Sequence, residues 1–316
     1  MSETLPKAAP QPQLIEHLDL LAFAKILLRK SWLILLLMAV ASAVAYVVTQ
    51  FAIKPSWRAE AYVEAPKESE LGNYYALYNM YQLVDAKGGV GNAGETVQSA
   101  VENSLTQGIY QQFKQQVKAY DVLKNFWLNS DYYKQMMNGD RAHDEALLES
   151  LIAGIHFTEG NARNNSNDKI ELTLDNPKQA AELLNAFIRY ANLSTRQMEY
   201  GNLIAKWKNL FDRITLAADN QLGQDQQGQL VPASVWQSKL AMMTSVQPLD
   251  NQFNAFHYLK TPVQPLAPYS PNPVLWMLSA AFAALLFGCA FAVILALRDF
   301  SRRQAHLQPG AEKEHG

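Results

Sequence analysis

The sequence predicts an α+β domain with a long helical arm, anchored by two transmembrane α-helices. Three observations carry this. Residues 32–53 (WLILLLMAVASAVAYVVTQFAI) and 274–297 (VLWMLSAAFAALLFGCAFAVILAL) are charge-free runs of 22 and 24 residues near opposite ends of the chain. Between them, stretches of strand character are interleaved with helical ones. One helical stretch keeps its period from residue 177 to about residue 218.

Each apolar run is long enough to span, since about 20 residues at ~1.5 Å each cross a ~30 Å hydrocarbon core. The AVASAVA in the first run offers small-residue cleavage sites. However, 31 residues precede it, and it stays apolar past those sites, so it reads as a retained helix and not as a signal peptide. Lys25, Arg29 and Lys30 precede the first run, and Arg298, Arg302 and Arg303 follow the second. Positive flanks stay on the cytoplasmic side, which puts both termini inside; Lys54 and Arg58 weaken the asymmetry slightly.

The N-terminal 13 residues, rich in Pro, Gln and Ala, read as a disordered tail, and LIEHLDLLAFAKILL (14–28) as an amphipathic helix along the inner surface. WRAEAYVEA (57–65) alternates as a strand. Helices follow at 74–84, 95–117, 121–129 and 144–153. IHFTE (155–159) and KIELTL (169–174) are two further strands, joined by the polar loop GNARNNSND. At DNP, an Asp or Asn cap with Pro177 in the first turn starts the long helix. Either Gly201 breaks that helix or it projects as an arm. QLGQDQQGQ (221–229) has the character of an arm tip, with a returning helix at 234–245. FNAFHYLKTPVQP (253–265) ends the domain as a strand. The organisation is a cytoplasmic tail (1–31), a first transmembrane helix (32–53), an outer α+β domain (54–272) with its arm at about 177–246, a second transmembrane helix (273–297) and a second cytoplasmic tail (298–316).

Several function classes are excluded or disfavoured. A net charge of −2 gives no basic field for nucleic acid, and the single cysteine, Cys289, rules out an internal disulfide and multi-cysteine metal sites. GVGNAG (89–94) matches the dinucleotide fingerprint, but helix and not strand precedes it, so it reads as a turn. The six histidines are scattered, and neither a nucleophile elbow nor a phosphate loop is present. FWLNSDYYKQMM (126–137) could be an aromatic platform for a sugar, although such clusters more often belong to a core. No catalytic residue, cofactor or metal ligand is expected, so the chain is not read as an enzyme.

Two segments stand out as sites. Ala280, Ala284, Gly288 and Ala292 recur every fourth residue along the second span, continuing to Ala296. Ala39 with Ala43 and Ala41 with Ala45 make shorter pairs in the first. Small residues at this spacing let helices approach closely in lipid, either within the chain or between protomers. Ahead of the second span, Pro262, Pro265, Pro268, Pro271 and Pro273 fall within twelve residues. Proline cannot donate to a sheet or continue a helix, so this stretch forms a stiff extended spacer.

HLDLLAFAKILLRKSW leading into span one, WRAEAYV after it and YLKTPVQPLAPYSPNP before span two together resemble the Wzz family of polysaccharide chain-length regulators, the polysaccharide co-polymerases. FWLNSDYYKQMMNG followed by DEALLESLIAGIHF is most like the enterobacterial common antigen type. The resemblance runs over about residues 14–300. It implies a homo-oligomeric scaffold in the bacterial inner membrane, with a large periplasmic domain. Such a scaffold sets the modal length of a lipid-linked glycan (enterobacterial common antigen or O-antigen, one building block of lipopolysaccharide) made by a separate polymerase. The proline segment reads either as a spacer that transmits the position of the outer domain to span two or as an ordinary domain-to-membrane linker, two roles that need the same stiffness. Two departures matter: the arm looks short for the subtype, and the 19 residues after 297 leave no room for the kinase domain of larger co-polymerases. The alternative is a membrane adaptor that activates a separate cytoplasmic tyrosine kinase; a membrane-anchored hydrolase is a more distant one.

Overall fold

The computed structural model describes residues 31–85, 95–220 and 232–306, and divides into two units, residues 56–269 and residues 1–55 with 270–316. The fold is mostly helical with one small antiparallel sheet, a long helix, and an apolar helix toward each end of the chain. The expected tail and amphipathic helix at 1–30, GVGNAG, the arm tip QLGQDQQGQ and residues 307–316 lie outside the described residues.

In the 56–269 unit, strands β1 (Trp57–Glu64), β2 (Ile155–Thr158), β3 (Asp168–Leu174) and β4 (His257–Lys260) form a sheet in the order β2-β3-β1-β4, all neighbours antiparallel. Register follows from alternation. Ala59 opposes Leu172 and Ala61 opposes Ile170, and all four are essentially fully buried. The intervening pairs, Arg58 with Thr173, Glu60 with Glu171 and Tyr62 with Lys169, occupy the other face, because side chains alternate along a strand.

The buried face is covered by α3 (Glu95–Lys118) and α7 (Pro177–Asp219). Phe113 of α3 stacks on Phe256 at 4.7 Å between ring centroids, and Ala180, Leu184, Phe187 and Ile188 of α7 are buried at helical spacing. The intervening α4 (Tyr120–Asn129), α5 (Asp131–Met136) and α6 (Arg141–Ala153) are short because caps interrupt them. Ser130 Oγ accepts the Tyr133 amide, and Asp140 accepts the Ala142 amide, which starts α6 three residues earlier than its apolar pattern. Phe126 at 7%, Trp127 at 0% and Tyr133 at 6% exposure place three aromatic rings of FWLNSDYYKQMM in the core, with Phe126 edge-on to Phe187 at 5.3 Å, whereas Leu128, Met136 and Met137 are exposed.

Asn176 caps α7, accepting the Lys178 and Gln179 amides, with Pro177 in the first turn. The helix runs unbroken through Gly201 for 43 residues, about 65 Å at ~1.5 Å per residue. Helices α2 (Asn73–Asp85) and α8 (Ala233–Thr244) support its second half. Val84, Leu210, Ile214 and Met243 form a small apolar cluster there, with Arg213 paired to Asp85 at 3.0 Å and Lys239 Nζ donating to the Val84 carbonyl at 2.7 Å.

The strand expected over 253–265 is shorter, His257–Lys260. Phe253, Ala255 and Phe256 are buried as packing residues before it. Beyond it, Pro262 and Pro265 have no N–H with which to continue a ladder.

Candidate functional site: the paired apolar helices and the proline segment

Helix α1 (Ser31–Phe51) and residues Pro273–Leu295 of α9 (Pro273–His306) are long and apolar enough to cross a membrane, with mean hydropathy 2.3 and 2.5. Asn272 starts α9 by accepting the Val274 and Leu275 amides, with Pro273 as the first helical residue. The helices pack together antiparallel: Gly288 lies beside Ile34, and Ser42 Oγ donates to the Met277 carbonyl at 3.5 Å.

On α9, Ala284, Gly288 and Ala292 are buried and Ala280 is half-buried, so the small-residue stripe faces α1. A Cβ at position 288 would sit 3.3 Å from Ile34 Cγ2, which leaves no room for any side chain without a shift. Across from it, Ile34, Ala45 and Thr49 are the buried residues of α1; Thr49 Oγ1 satisfies itself on the Tyr46 carbonyl at 2.8 Å. Ala41 is half-buried beside Ala45, whereas Ala39 and Ala43 lie on the outer side of α1, away from α9.

Between Lys260 and Pro273 the chain forms neither helix nor part of the four-stranded sheet. Pro262, Pro265 and Pro271 are half-buried and Pro268 is exposed. The Tyr269 amide donates to the Ser56 carbonyl at 2.8 Å, joining the chain just after α1 to the chain just before α9. The Arg58 guanidinium lies 3.4 Å from the centroid of the Tyr269 ring.

Arg58 also leads into a charge ladder on the polar face of the sheet. Its Nη1 is 3.4 Å from Glu171 Oε2 and its Nε donates to Thr173 Oγ1 at 3.3 Å. Lys169 pairs with Glu171 and lies 3.9 Å from Glu60. Glu60 and Glu171 stand directly opposite in the register, an arrangement that repels unless cations intervene. Arg58 and Lys169 supply them, and Glu171 is only 5% exposed. The hydrogen bond to Glu171 raises the Lys169 ammonium above its ordinary value against the opposing effect of burial.

Sequence reasoning singled out the stripe and the prolines but missed Arg58, Tyr269, Glu171 and Lys169. The alternation of WRAEAYVE marks Arg58 and Glu60 as outward. Their partners depend on the pairing of strands far apart in sequence, for which no local signal exists.

A small antiparallel sheet backed by helices, with one long helix and an apolar helix toward each end, defines a membrane-anchored α+β protein of the polysaccharide co-polymerase fold. Among solved structures it is similar to a full-length bacterial polysaccharide co-polymerase, with a TM-score of 0.57 and 14% identity, covering 90% of this chain and 99% of that one. Residues 16–130 match the Wzz family, described as chain length determinant protein. Curated relatives include the ECA polysaccharide chain length modulation proteins of Escherichia coli K12 and Salmonella typhimurium LT2. The first is 23% identical over 314 residues, covering 81% of this chain and 88% of the relative; the second is 23% identical over 301 residues, covering 77% and 84%. By sequence and by fold, this chain is similar to Wzz-type chain-length regulators.

Proposed function

We propose that this chain regulates the modal length of a lipid-linked surface polysaccharide, enterobacterial common antigen or O-antigen. It does so without catalysing bond formation, as a homo-oligomeric scaffold beside a separate polymerase. The observation that carries the reading is the similarity to chain length modulation proteins over 81% of this chain. The Wzz match at 16–130 and the shared fold support it.

In this reading α1 and α9 cross the bacterial inner membrane, residues 54–272 are periplasmic and both termini are cytoplasmic. Lys25, Arg29, Lys30, Arg298, Arg302 and Arg303 support that orientation. Pro262, Pro265, Pro268, Pro271 and Pro273 form a stiff spacer, and the Ser56–Tyr269 tie joins both ends of the domain before the chain enters the bilayer. Movement of the domain within an oligomer is thus transmitted to the spans, where Ala280, Ala284, Gly288 and Ala292 hold the helix pair together.

The test is the size distribution of surface glycans, read as a gel ladder, from a strain lacking the gene, with and without restoration. A clustered distribution that becomes random on deletion and recovers on restoration is expected. An unchanged ladder would overturn the reading.

A further inference from the structure

No Asp, Glu, Lys, Arg or His occurs between Lys260 and Arg298, so the uncharged run begins twelve residues before α9 does. A segment that serves only as an aqueous linker has no reason to exclude charge. Its sequence is periodic: Pro-Val-Gln, Pro-Leu-Ala and Pro-Tyr-Ser repeat every three residues from Pro262 to Ser270. Three residues per turn is the period of the polyproline II conformation, so Val263, Leu266 and Tyr269 fall along one edge of such a backbone.

Of residues 262–270 only Pro262 and Pro265 are half-buried; the others, Gln264, Ala267, Pro268 and Ser270 included, are exposed, and the apolar edge itself lies open, with Val263 at 53%, Leu266 at 98% and Tyr269 at 53% exposure. Leu266 is the most exposed large apolar residue among those described. The chain then continues directly into a helix long and apolar enough to span a membrane. Leu266 is seven residues from Pro273, at most about 22 Å at ~3.1 Å per residue, and Tyr269 about 12 Å. The polar layer on each side of a bilayer is about 5–8 Å deep, and amphipathic rings such as that of tyrosine concentrate there.

We propose that Val263, Leu266 and Tyr269 form a lipid-facing ridge, seated in the headgroup region of the leaflet that α9 enters. The lack of charge, the period-three apolar edge, its outward exposure and its continuity with the spanning helix all fit one occupant, the bilayer surface. The inference rests on α1 and α9 spanning a membrane, as the proposed function requires. It adds a contact that lets the proline segment sense the surface along its length.

The test uses the full chain in a Cys289→Ser background, reconstituted into phosphatidylethanolamine–phosphatidylglycerol vesicles. Nitroxide labels are placed at Leu266→Cys, at Leu278→Cys on the exposed side of α9, and at Ser150→Cys on α6. Relaxation by lipid-soluble oxygen is compared with relaxation by a water-soluble nickel chelate. Oxygen should dominate at 266 and 278, and nickel at 150. Nickel dominance at 266 with oxygen dominance at 278 overturns the ridge and leaves the spans intact. Nickel dominance at 278 overturns the spanning reading itself, and the ridge with it. Shielding of 266 from both reagents, with disulfide-linked dimers on oxidation of the unlabelled Leu266→Cys chain, means that a second copy covers the edge, which also overturns the proposal.

Discussion

The Arg58 guanidinium stacks on the ring of Tyr269, 3.4 Å from its centroid, while the same side chain reaches Glu171 at 3.4 Å. One residue at the start of β1 therefore holds both the end of the proline segment and a nearly buried carboxylate. Arginine suits this position because its planar guanidinium stacks and forks at once, which a lysine ammonium cannot do. Tyr269→Ala is expected to remove about 0.5–1 kcal/mol of cation–π contact. Arg58→Ala should remove more, about 1–3 kcal/mol, because among the described residues Glu171 then keeps Lys169 alone as a paired cation. In a domain of this size ~1 kcal/mol is about 2–4 °C in Tm. Thermal melts of both single variants and the double variant check this, and strict additivity would show that the two side chains do not interact.

Gly288 against Ile34 gives a second expectation. Gly288→Leu has no space between the helices, so α1 and α9 must separate. Crosslinking by a short bismaleimide between Ser42→Cys and Met277→Cys in a Cys289→Ser background, on adjacent helices where Ser42 Oγ lies 3.5 Å from the Met277 carbonyl, should fall severalfold in that variant. It should recover in part with Ile34→Ala, which vacates volume at the clash. Unchanged crosslinking with Gly288→Leu would show that this face does not set the helix spacing.

Gly201 lies exposed in the middle of α7, and a Cβ there meets nothing within 4 Å. Glycine in a helix interior is less stable than alanine by about 0.5–1 kcal/mol. Gly201→Ala should therefore raise the denaturant midpoint without changing the slope. A lower midpoint would mean that position 201 touches a partner in the assembled protein.

Alkaline pH should unfold the 56–269 unit early. Burial, reinforced by Glu199 at Tyr74 and by Asp168 at Tyr110, raises both phenols well above their ordinary value, and burial pushes Tyr200 and Tyr258 up to about 12. Each group keeps its proton longer when folded than when unfolded. Its contribution is thus complete below pH ~10 and is lost as pH rises beyond it. Lys169, also raised, acts with the same sign. Tm measured from pH 8 to 11.5 should drop steeply above about 10. Tyr110→Phe gives up the 2.6 Å hydrogen bond to Asp168. It should melt lower at neutral pH and lose less between pH 9 and 11; a parallel curve would rule Tyr110 out as a source of the slope.

Much of this fold is legible because its signals are local. The alternation of WRAEAYVE, the Asn176–Pro177 start of α7 and the charge-free runs each appear within a single window of sequence. The returning helix α8 is likewise readable from its own apolar pattern. What was not legible depends on distant pairing. The length of β4 is set by its one neighbour, β1, and by prolines that cannot donate, so FNAFHYLKTPVQP shortens to four residues of strand. The Glu60–Glu171 apposition exists only once β1 and β3 are in register. The opposite fates of Ala41 with Ala45 and Ala39 with Ala43 depend on which side of α1 faces α9, which spacing alone does not choose.

The strand order also has a consequence for how the chain is made. Strand β1 is flanked by β3 and β4, yet it is translated first, and β4 at residues 257–260 is translated last. At ~5–20 residues per second, about 10–40 s separate the exit of β1 from that of β4. Throughout that interval β1 has at least one edge bare, the condition under which strands of neighbouring nascent chains pair wrongly. The sheet closes only as α9 begins to leave the ribosome, so completing the domain and inserting the second span fall in the same few seconds. A nascent chain stalled before residue 257 leaves one anchor in place and an open sheet for quality control to find.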